Sequence, residues 1–461
     1  MRPAFRLPLL LLAAAVFAAE ARALARDPHA FLDAQAAAGL ERHGVPGVAY
    51  ALIEDGTVTR IAAHGRMRAG DGAPVTQDTR FQVASLSKSV TATAILALVE
   101  EGRLELDAPV GRYLSRWQLP AGPWDPADVT LRRVLSHTAG LSVNAAPGTG
   151  YAYSGGGYTL LQLLIEEVTG ERFADAMQRR VLAPLGMRAA SFDPEPDDPR
   201  IARAHDAALH PIPNRRYTAQ AAAGLHASVE DLARFVVANL GRHPLLAPET
   251  VAEMHRTVEV ASGPSPFGLG FRVMAGGRLV GHSGANLGFR ARMAFVPEQR
   301  AGLVVLTNAE SGSDLVEDLF CIWDDAFAIG LLRGACEQSL RARASRIAAG
   351  RAFGTLALGA MLLAVIGLVT GRRGLRVPLG IGQKVTLIAV ALASLSGALV
   401  CFTPLGARVF AGVVLEGRSF DYLSPSLRPL VASFFPILAA LALWLLTGPV
   451  RSGRASRGTA R

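Results

Sequence analysis

Lysine is nearly absent from this sequence of 461 residues, in which Lys88 and Lys384 are the only lysines among 47 basic residues. All other positive side chains are arginines, whose guanidinium groups stay protonated in proteins. A buried lysine differs, because burial disfavours the ammonium form and can release its proton near neutral pH. The two lysine positions are therefore the first places to search for proton-transfer chemistry.

Cysteine is also scarce, with only Cys321, Cys336 and Cys401 in the chain. The sequence has no Cys-x-x-Cys motif and no Cys/His ligand spacing, so we expect no structural zinc, and no other metal or cofactor. If the helical pattern around Cys321 continued to Cys336, the two residues would lie about 22 Å apart, too far for a disulfide. We therefore expect free thiols.

The basic residues are concentrated near the C-terminus. The whole chain has a net charge of +9, but the part from Arg341 onward holds fourteen Arg, one Lys and two acidic residues, and so carries +13. The preceding 340 residues therefore carry a net charge of −4. We expect no nucleic-acid partner for such a domain, whereas arginines beside apolar segments are typical of membrane proteins.

The N-terminus has the pattern of a secretory signal. Arg2 and Arg6 precede an uncharged, apolar stretch at 7–19, and small residues at 23 and 25 form a cleavage site. We predict a signal peptide at 1–25, with an uncleaved membrane anchor as the alternative. Both interpretations predict that the domain which follows, at 26–340, is exported.

Three uncharged apolar stretches lie in the C-terminal region, at about 352–371, 385–407 and 429–450. Each has about twenty residues, the length that an α-helix needs to cross the hydrocarbon core of a bilayer. We predict a membrane domain at 341–461 with three transmembrane helices and the lipid bilayer as a partner; buried helices of a soluble domain are the alternative. The domain at 26–340 would then lie on the outer, periplasmic or extracellular, side of the cytoplasmic membrane.

The region between these ends is predicted to be an α+β domain. Segments at 47–54 and 57–63 have strand patterns around an Asp55-Gly56 turn, and a helical middle follows that includes 229–240 with a Ser228/Asp231 capping pair. The remaining predicted helices and strands lie at 85–101, 131–136, 158–169, 173–181, 267–274, 278–282, 289–296, 303–307 and 315–332. We predict one antiparallel sheet built from both ends of the domain, with helices on its faces and an inserted helical lobe.

Lys88 follows Ser85 by three residues, in the motif Ser-Leu-Ser-Lys at the start of the first long helical pattern. Positions i and i+3 share one face of a helix, so the hydroxyl and the amine can meet. A serine needs a base to become a nucleophile, and a deprotonated lysine can act as that base. An ordinary polar helix start is the alternative explanation.

Two further segments carry groups suited to this chemistry. In the Tyr-Ser-Gly motif at 153–155, the Tyr153 phenol beside an ammonium would have a lowered pKa and could shuttle protons. In the Gly-His-Ser-Gly motif at 281–284, a predicted strand ends at a turn where backbone N–H groups could hold an oxyanion. There His282 and Ser283 could hydrogen-bond a substrate carboxylate or ester. Alone, each motif is also compatible with a structural role.

Together the three motifs resemble those of the serine β-lactamase and penicillin-binding-protein superfamily. The resemblance is closest to class C β-lactamases, D-alanyl-D-alanine carboxypeptidases, and related esterases and D-aminopeptidases. It spans about residues 47–332, with the motifs in family order, and implies the β-lactamase/transpeptidase-like fold. Segments 134–141 and 224–235 also match the family's style, and we interpret both as structural, including His137 and His226.

The resemblance implies a role for each matching residue. Ser85 would be the nucleophile, Lys88 the base of acylation, and Tyr153 an assistant in proton transfer and deacylation. The backbone N–H groups of Ser85 and Ala285 would form the oxyanion hole. The other motif residues would contact the substrate: Gly155, His282, Ser283 and Gly284.

Two departures from the family pattern bear on the substrate. Gly155 stands where the family usually has an asparagine that contacts an acyl-amide, and His282 stands where it usually has a lysine. A histidine is near-neutral at pH 7 and therefore holds a carboxylate less firmly. Both changes fit an esterase or a broad amidase at least as well as a β-lactamase or a strict carboxypeptidase.

The sequence thus predicts an exported, membrane-anchored serine hydrolase that acts through a Ser85 acyl-enzyme on amide or ester substrates. Candidate substrates are cell-wall D-amino-acid peptides, β-lactams and small esters. Two alternatives are not enzymes. One is a receptor that binds penicillin or cell-wall fragments without turnover, and the other is an inactive scaffold that keeps only the fold.

Overall fold

Strands from two distant parts of the chain form one six-stranded antiparallel sheet. The computed structural model describes residues 27–122, 124–141, 145–195, 197–370, 373–375 and 447–449. Strands β1 (Gly47–Glu54) and β2 (Thr57–Gly65) form a hairpin. The other strands follow the helical lobe: β3 (Arg272–Met274), β4 (Leu279–Asn286), β5 (Phe289–Val296) and β6 (Ala301–Thr307). The order across the sheet is β2-β1-β6-β5-β4-β3, which confirms the predicted architecture.

The helical lobe lies between β2 and β3 in the sequence. Its helices are α2 (Ser87–Glu100), α3 (Leu131–Leu135), α4 (Gly155–Thr169), α5 (Phe173–Met177), α6 (Gln220–Ala223), α7 (Val229–Leu240) and α8 (Pro248–Met254). A π-helical segment, Gln178–Leu182, extends α5. The predicted capping pair is present at α7, where the Ser228 and Asp231 side chains each accept the other's backbone N–H.

The two faces of the sheet are covered by different helices. Ala49 and Ala51 of β1 belong to the larger apolar core, which they share with the helical lobe. Tyr50 and Leu52, which point to the opposite face because side chains alternate along a strand, belong to a second core. That core is closed by α1 (Pro28–His43) and α9 (Gly312–Ala326). The sequence analysis had not predicted α1, whose N-cap is Asp27.

The two cysteines that were expected to be free form a disulfide, Cys321–Cys336, with Cα atoms 5.8 Å apart. The prediction was wrong because the helix does not continue between them. It ends at Ala326, and the buried Asp324 carboxylate then accepts the N–H groups of Leu331 and Leu332. The resulting turn brings Cys336 back beside Cys321.

A second correction concerns the Gly-His-Ser-Gly motif. It was predicted to end a strand and open a turn, but β4 continues through it to Asn286. Its pairing with β5 is regular from Val280 to Asn286, whereas its pairing with β3 ends at Gly281. The motif therefore lies in the part of β4 whose second edge has no strand partner among the described residues.

The described residues also include short strand pairs and 3₁₀ turns. Two-residue strand pairs join Phe81–Gln82 to His226–Ala227, Ala204–His205 to Pro211–Ile212, and Glu259–Val260 to Gly263–Pro264. Short 3₁₀ turns span Ala84–Leu86, Val110–Tyr113, Pro126–Asp128 and Ala275–Gly277.

The chain divides into two units, Met1–Cys336 and Glu337–Arg461. α10 (Arg333–Val369) is the long C-terminal helix, and a strand pair joins Arg373–Leu375 to Thr447–Pro449. Within the part of the chain that the structure describes, no helix combines the length and the apolar character needed to span a membrane.

The predicted membrane and targeting segments lie largely outside the described residues. This holds for the span at 385–407, for most side chains of the span at 352–371, and for the signal peptide at 1–25. It also holds for the span at 429–450 up to residue 446, whereas residues 447–449 pair as a strand and are not helical. The transmembrane helices therefore have no support from the described residues.

Candidate active site

Ser85 lies in the 3₁₀ turn Ala84–Leu86, immediately before α2. The turn begins at Ala84 with φ of 50°, a conformation that side-chain-bearing residues rarely adopt, and such strained positions cluster at functional sites. The Ser87 hydroxyl fixes the turn by donating to the Ala84 carbonyl at 2.5 Å and accepting the Leu225 N–H. Ser85 is thus held, half-buried, at the entrance of the central helix.

Lys88 lies one turn later, with its amine 3.1 Å from the Ser85 hydroxyl. The amine also donates to the Ala222 carbonyl at 2.7 Å, and the side chain is 2% exposed. No carboxylate within the described residues forms an ion pair with it. Burial therefore lowers the pKa of Lys88 to about 7, which leaves a large fraction of the amine unprotonated at neutral pH.

Tyr153 contacts the same serine from the other side. Its phenol is close enough to the Ser85 hydroxyl for that group to act on the pKa of Tyr153. The Lys88 amine lies 5.1 Å from the centre of the Tyr153 ring. Burial raises the pKa of Tyr153 to about 12, against the lowering that we predicted from the neighbouring amine. The prediction was wrong because desolvation of the phenolate is the largest effect there. Tyr153 is accordingly a neutral proton donor at pH 7.

His137, which we interpreted as structural, holds Tyr153 in place. Its Nδ1 accepts the Ser154 N–H at 3.1 Å and its backbone carbonyl accepts the Ala152 N–H at 2.9 Å, so both neighbours of Tyr153 are tied to it. The two rings pack with centroids 4.3 Å apart. Burial, with the nearby Lys88, lowers the pKa of His137 to about 3, so the ring is uncharged.

His282 is also buried and uncharged. Its Nδ1 lies 2.7 Å from the Ser283 carbonyl, to which it donates, and its Nε2 has no hydrogen-bond partner among the described residues. Burial, with Lys88 close by, lowers the pKa of His282 to about 3. The residue therefore offers no positive charge to a substrate carboxylate, as the departure from lysine suggested.

Gly284 explains how β4 comes next to the nucleophile. A Cβ at this position would lie 2.2 Å from the Val83 carbonyl oxygen and 3.2 Å from Ala84 Cβ, so only glycine permits the contact. The contact places Ala285 and Ser85 on the wall of one cavity. The N–H groups at the start of a helix lack intrahelical acceptors, which fits the predicted oxyanion role of Ser85, whereas Ala285 lies in β4. That role stays a prediction.

Two separate cavities are lined by residues of this centre, one by Ser85 and the other by Tyr153. One, of ≈ 330 Å³, is lined by Ser85, Ser283 and Ala285 together with charged side chains, among them Arg292 and Glu317. The other, of ≈ 680 Å³, begins at Tyr153 and Gly155 and runs along α4. The structure thus brings together the sequence-predicted residues of all three motifs.

This arrangement defines a class of site. A hydroxyl is hydrogen-bonded to an amine whose pKa is lowered to about 7 and which has no counter-ion among the described residues, beside a neutral phenol and a strand edge without a strand partner there. Such a site can take the proton from the hydroxyl and make it a nucleophile toward a carbonyl carbon. Fold and site together therefore define a class of site that is suited to acyl transfer through a serine.

The chain belongs to the Beta-lactamase family, whose model matches residues 32–324. Curated relatives carry different activities in their names. They include "Penicillin-binding protein 4" from Amycolatopsis lactamdurans, 33% identical over 178 residues, which are 33% of this chain and 46% of that protein. Another is "Esterase EstB" from Burkholderia gladioli, 27% identical over 52% of this chain and 77% of the relative.

A "D-aminopeptidase" from Brucella ovis is 27% identical over 58% of this chain and 57% of its own length. This chain therefore spans only about half the length of the penicillin-binding protein and of the D-aminopeptidase. The relatives of the family include serine hydrolases that act on esters and on peptides, so the family alone does not select a substrate.

Solved structures have the same fold. The octameric penicillin-binding protein homologue from Pyrococcus abyssi has a TM-score of 0.55 at 25% identity, over 65% of this chain and 77% of that one. The D-alanine carboxypeptidase AmpC from Burkholderia cenocepacia has a TM-score of 0.54 at 25% identity, over 64% of this chain and 99% of that one. Both likenesses confirm the predicted β-lactamase/transpeptidase-like fold.

Proposed function

We propose that the protein is a serine hydrolase that forms an acyl-enzyme at Ser85 and prefers ester or unconstrained amide substrates. The observation that carries the proposal is the amine of Lys88, 3.1 Å from the Ser85 hydroxyl, with its pKa lowered to about 7 by burial. A base works best when its pKa lies near the operating pH. An arginine, which the chain uses almost everywhere else, would stay protonated.

Acylation follows from these contacts. The neutral Lys88 amine takes the proton of the Ser85 hydroxyl as Oγ bonds to the substrate carbonyl carbon, and the carbonyl oxygen becomes an oxyanion. The N–H groups of Ser85 and Ala285 are the donors proposed to hold it. Preorganised donors of this kind commonly contribute about 10²–10³-fold to the rate.

Tyr153 completes the proton path. Its neutral phenol donates a proton to the leaving oxygen or nitrogen as the tetrahedral intermediate collapses, and it recovers a proton from the Lys88 ammonium. In deacylation a water adds to the ester carbonyl, its proton passes to the base, and Ser85 Oγ leaves with a proton. No net proton is gained or lost by the protein over the cycle.

Two observations favour esters over β-lactams. Gly155 provides no side-chain amide to hold an acyl-amide, and a Cβ there would meet no atom within 4 Å. His282 provides no charge for the carboxylate that β-lactams carry, because its pKa is lowered to about 3. The name of the esterase relative agrees with this preference.

The location outside the cytoplasm and the attachment to a membrane also belong to the proposal. Support comes from the charged and apolar pattern at 2–25 and from the apolar stretches between 352 and 450. The disulfide Cys321–Cys336 adds an independent argument, because such bonds persist in oxidising compartments.

The test uses the full-length protein with Ser85→Ala, and Ser262→Ala as a matched change at an exposed serine. A fluorescent fluorophosphonate should label the wild type and Ser262→Ala but not Ser85→Ala. Unlabelled samples of the wild type and Ser262→Ala should turn over p-nitrophenyl acetate, with slow or no turnover of nitrocefin, and prior labelling should abolish this activity. Folded wild type that takes no label would contradict the proposal and leave the scaffold as the better account.

The same experiment distinguishes the proposed hydrolase from the alternative of a non-hydrolytic receptor. A receptor would react with a fluorescent penicillin at Ser85 and keep the adduct. Its acyl-enzyme would therefore be stable by intact mass, and no product would accumulate beyond one equivalent. Multiple turnovers of ester with a transient adduct would exclude it.

A further inference from the structure

A long open groove starts at the catalytic phenol. It has a volume of ≈ 680 Å³, within the usual range for small-molecule sites, and runs from Tyr153 and Gly155 past Leu160 and Leu163 of α4. Trp117 and Leu141 form its other wall. None of the described residues that line it carries a charge.

The smaller cavity, which Ser85 lines, differs from the groove because charged side chains line it. Its described lining includes Arg290, Arg292 and Glu317. The guanidinium of Arg292 is packed on the Phe320 ring at 4.1 Å, so the charge has a fixed place. The nucleophile thus stands between an uncharged groove and a charged cavity, and a substrate that reaches both must itself be apolar at one end and polar at the other.

Two aromatic side chains that are exposed to solvent line the groove. Within the described residues of Met1–Cys336, four large apolar side chains are exposed: Val58, Trp117, Tyr151 and Tyr153. Two of them, Trp117 and Tyr153, each 42% exposed, line this groove. Exposed apolar surface that is concentrated in a concave site indicates binding of an apolar group.

The entrance of the groove is kept open by glycine. A Cβ on Gly155 would meet no atom within 4 Å, so the space beside Tyr153 is unfilled. Tyr153 at the same entrance lies beside the catalytic pair, with its ring centre 5.1 Å from the Lys88 amine that is bonded to Ser85. A chain bonded to the reacting carbonyl or to the leaving oxygen can therefore pass over Gly155 into the groove.

We propose that the groove between Trp117 and Leu163 is a substrate subsite that binds an apolar chain of the scissile ester or amide. The proposal rests on the proposed function and adds to it the class of substrate: amphipathic molecules with an aliphatic or aromatic chain at one end. Each buried methylene contributes about 0.8 kcal/mol, or roughly fourfold in kcat/KM when burial is complete. An open groove should give about two- to fourfold per methylene.

The experiment measures kcat/KM of the full-length protein on two ester series. In the first, p-nitrophenyl esters run from acetate to octanoate; in the second, acetate esters carry alcohols of the same chain lengths. We expect one series to rise by about two- to fourfold per methylene over the first four to six carbons. The series that rises identifies whether the acyl or the alcohol chain occupies the groove.

Two groove variants and one control locate the effect. Leu163→Asp places a charge in the groove and Trp117→Ala removes one wall, so in both variants the ratio of octanoate to acetate kcat/KM in the rising series should fall toward one. Val58→Asp makes the same kind of change at an exposed apolar residue of β2 and should leave the slope intact. Should Trp117→Ala also lower acetate turnover, Leu163→Asp still decides the question.

The outcomes separate this inference from the proposed function. If the wild type hydrolyses acetate esters but neither series rises with chain length, the subsite is wrong and the serine hydrolase stands. A rise that survives in Leu163→Asp also overturns the subsite. If no ester is hydrolysed and Ser85 takes no label, the proposed function itself fails.

Discussion

Two groups of buried ionisable side chains lie on β4, β5 and the neighbouring elements. They differ in whether a buried basic side chain has a carboxylate partner. Around Ser85, the side chains of Lys88, His137 and His282 are buried without a carboxylate partner among the described residues, and their pKa values are lowered to about 7, 3 and 3. In the other group, the Arg290 guanidinium forms an ion pair with the fully buried Glu310 carboxylate.

This difference in charge pairing fits a catalytic role for the first group, as proposed, and a structural role for the second. A buried base without a counter-ion loses its proton and can then accept one, which is the requirement of a catalyst. A buried ion pair keeps its groups in one place, and the bonds around it are structural. Glu310 also accepts the Gly288 N–H at 2.6 Å, and Arg290 donates to the Asn286 and Phe289 carbonyls, so the pair ties the β4–β5 turn to the start of α9.

The largest expected effect comes from giving the catalytic group a permanent charge. Lys88→Arg keeps a long nitrogen-bearing side chain, but a guanidinium stays protonated and cannot accept the Ser85 proton. We expect kcat/KM for p-nitrophenyl acetate to fall about 10³-fold, or ~4 kcal/mol, with folding retained by circular dichroism. Retention of more than a tenth of the activity would show that Lys88 is not the base.

The second substitution removes the negative charge from the buried ion pair of Arg290 and Glu310. Glu310→Gln leaves Arg290 buried without its partner, and we expect the free energy of unfolding to fall by about 3–4 kcal/mol in denaturant titrations. Glu105→Gln is the matched control, because Glu105 pairs with Arg112 on the surface with both side chains more than 60% exposed. It should change stability by less than about 1 kcal/mol. If Glu310→Gln and Glu105→Gln lowered the free energy of unfolding equally, the structural role of the buried ion pair would be contradicted.

A smaller effect is expected from the residue that positions Tyr153. His137→Asn should lower kcat about tenfold, with a smaller change in KM, because the bond from the Ser154 N–H to Nδ1 and the ring packing on Tyr153 are lost and the phenol moves. The control is His255→Asn, since the His255 ring packs on Phe271 with ring centroids 5.1 Å apart and is hydrogen-bonded to the Asn239 side chain. That variant should lose stability and keep kcat. If kcat is unchanged in His137→Asn, the ring is merely structural.

Elements whose signals are local were predictable from the sequence. The Asp55-Gly56 turn sets the β1–β2 hairpin, and Ser228 with Asp231 starts α7 at the predicted residue. The Ser85–Lys88 pair was also predictable, since three positions along a helix fix which side chains meet. The scarcity of lysine pointed to Lys88, the residue that we propose as the base.

Features that depend on tertiary contacts were not predictable. The course of β4 through the third motif depends on pairing with β5, and the Cys321–Cys336 bond depends on Asp324 closing a turn. The pKa of Tyr153 depends on how deeply the phenol is buried, which the motif does not reveal. The role of His137 likewise appears only when its ring and Tyr153 are seen together.

The pH dependence of Ser85 acylation tests the central claim most directly. The pre-steady-state burst of p-nitrophenol from p-nitrophenyl acetate should rise with pH through a single ionisation near 7 and stay level above it. The sign follows because the Lys88 amine, with its pKa lowered to about 7, accepts a proton only above that pH, whereas Tyr153 stays neutral up to about 12. A burst rate that is independent of pH between 5 and 9, or that persists in Ser85→Ala, would contradict the account.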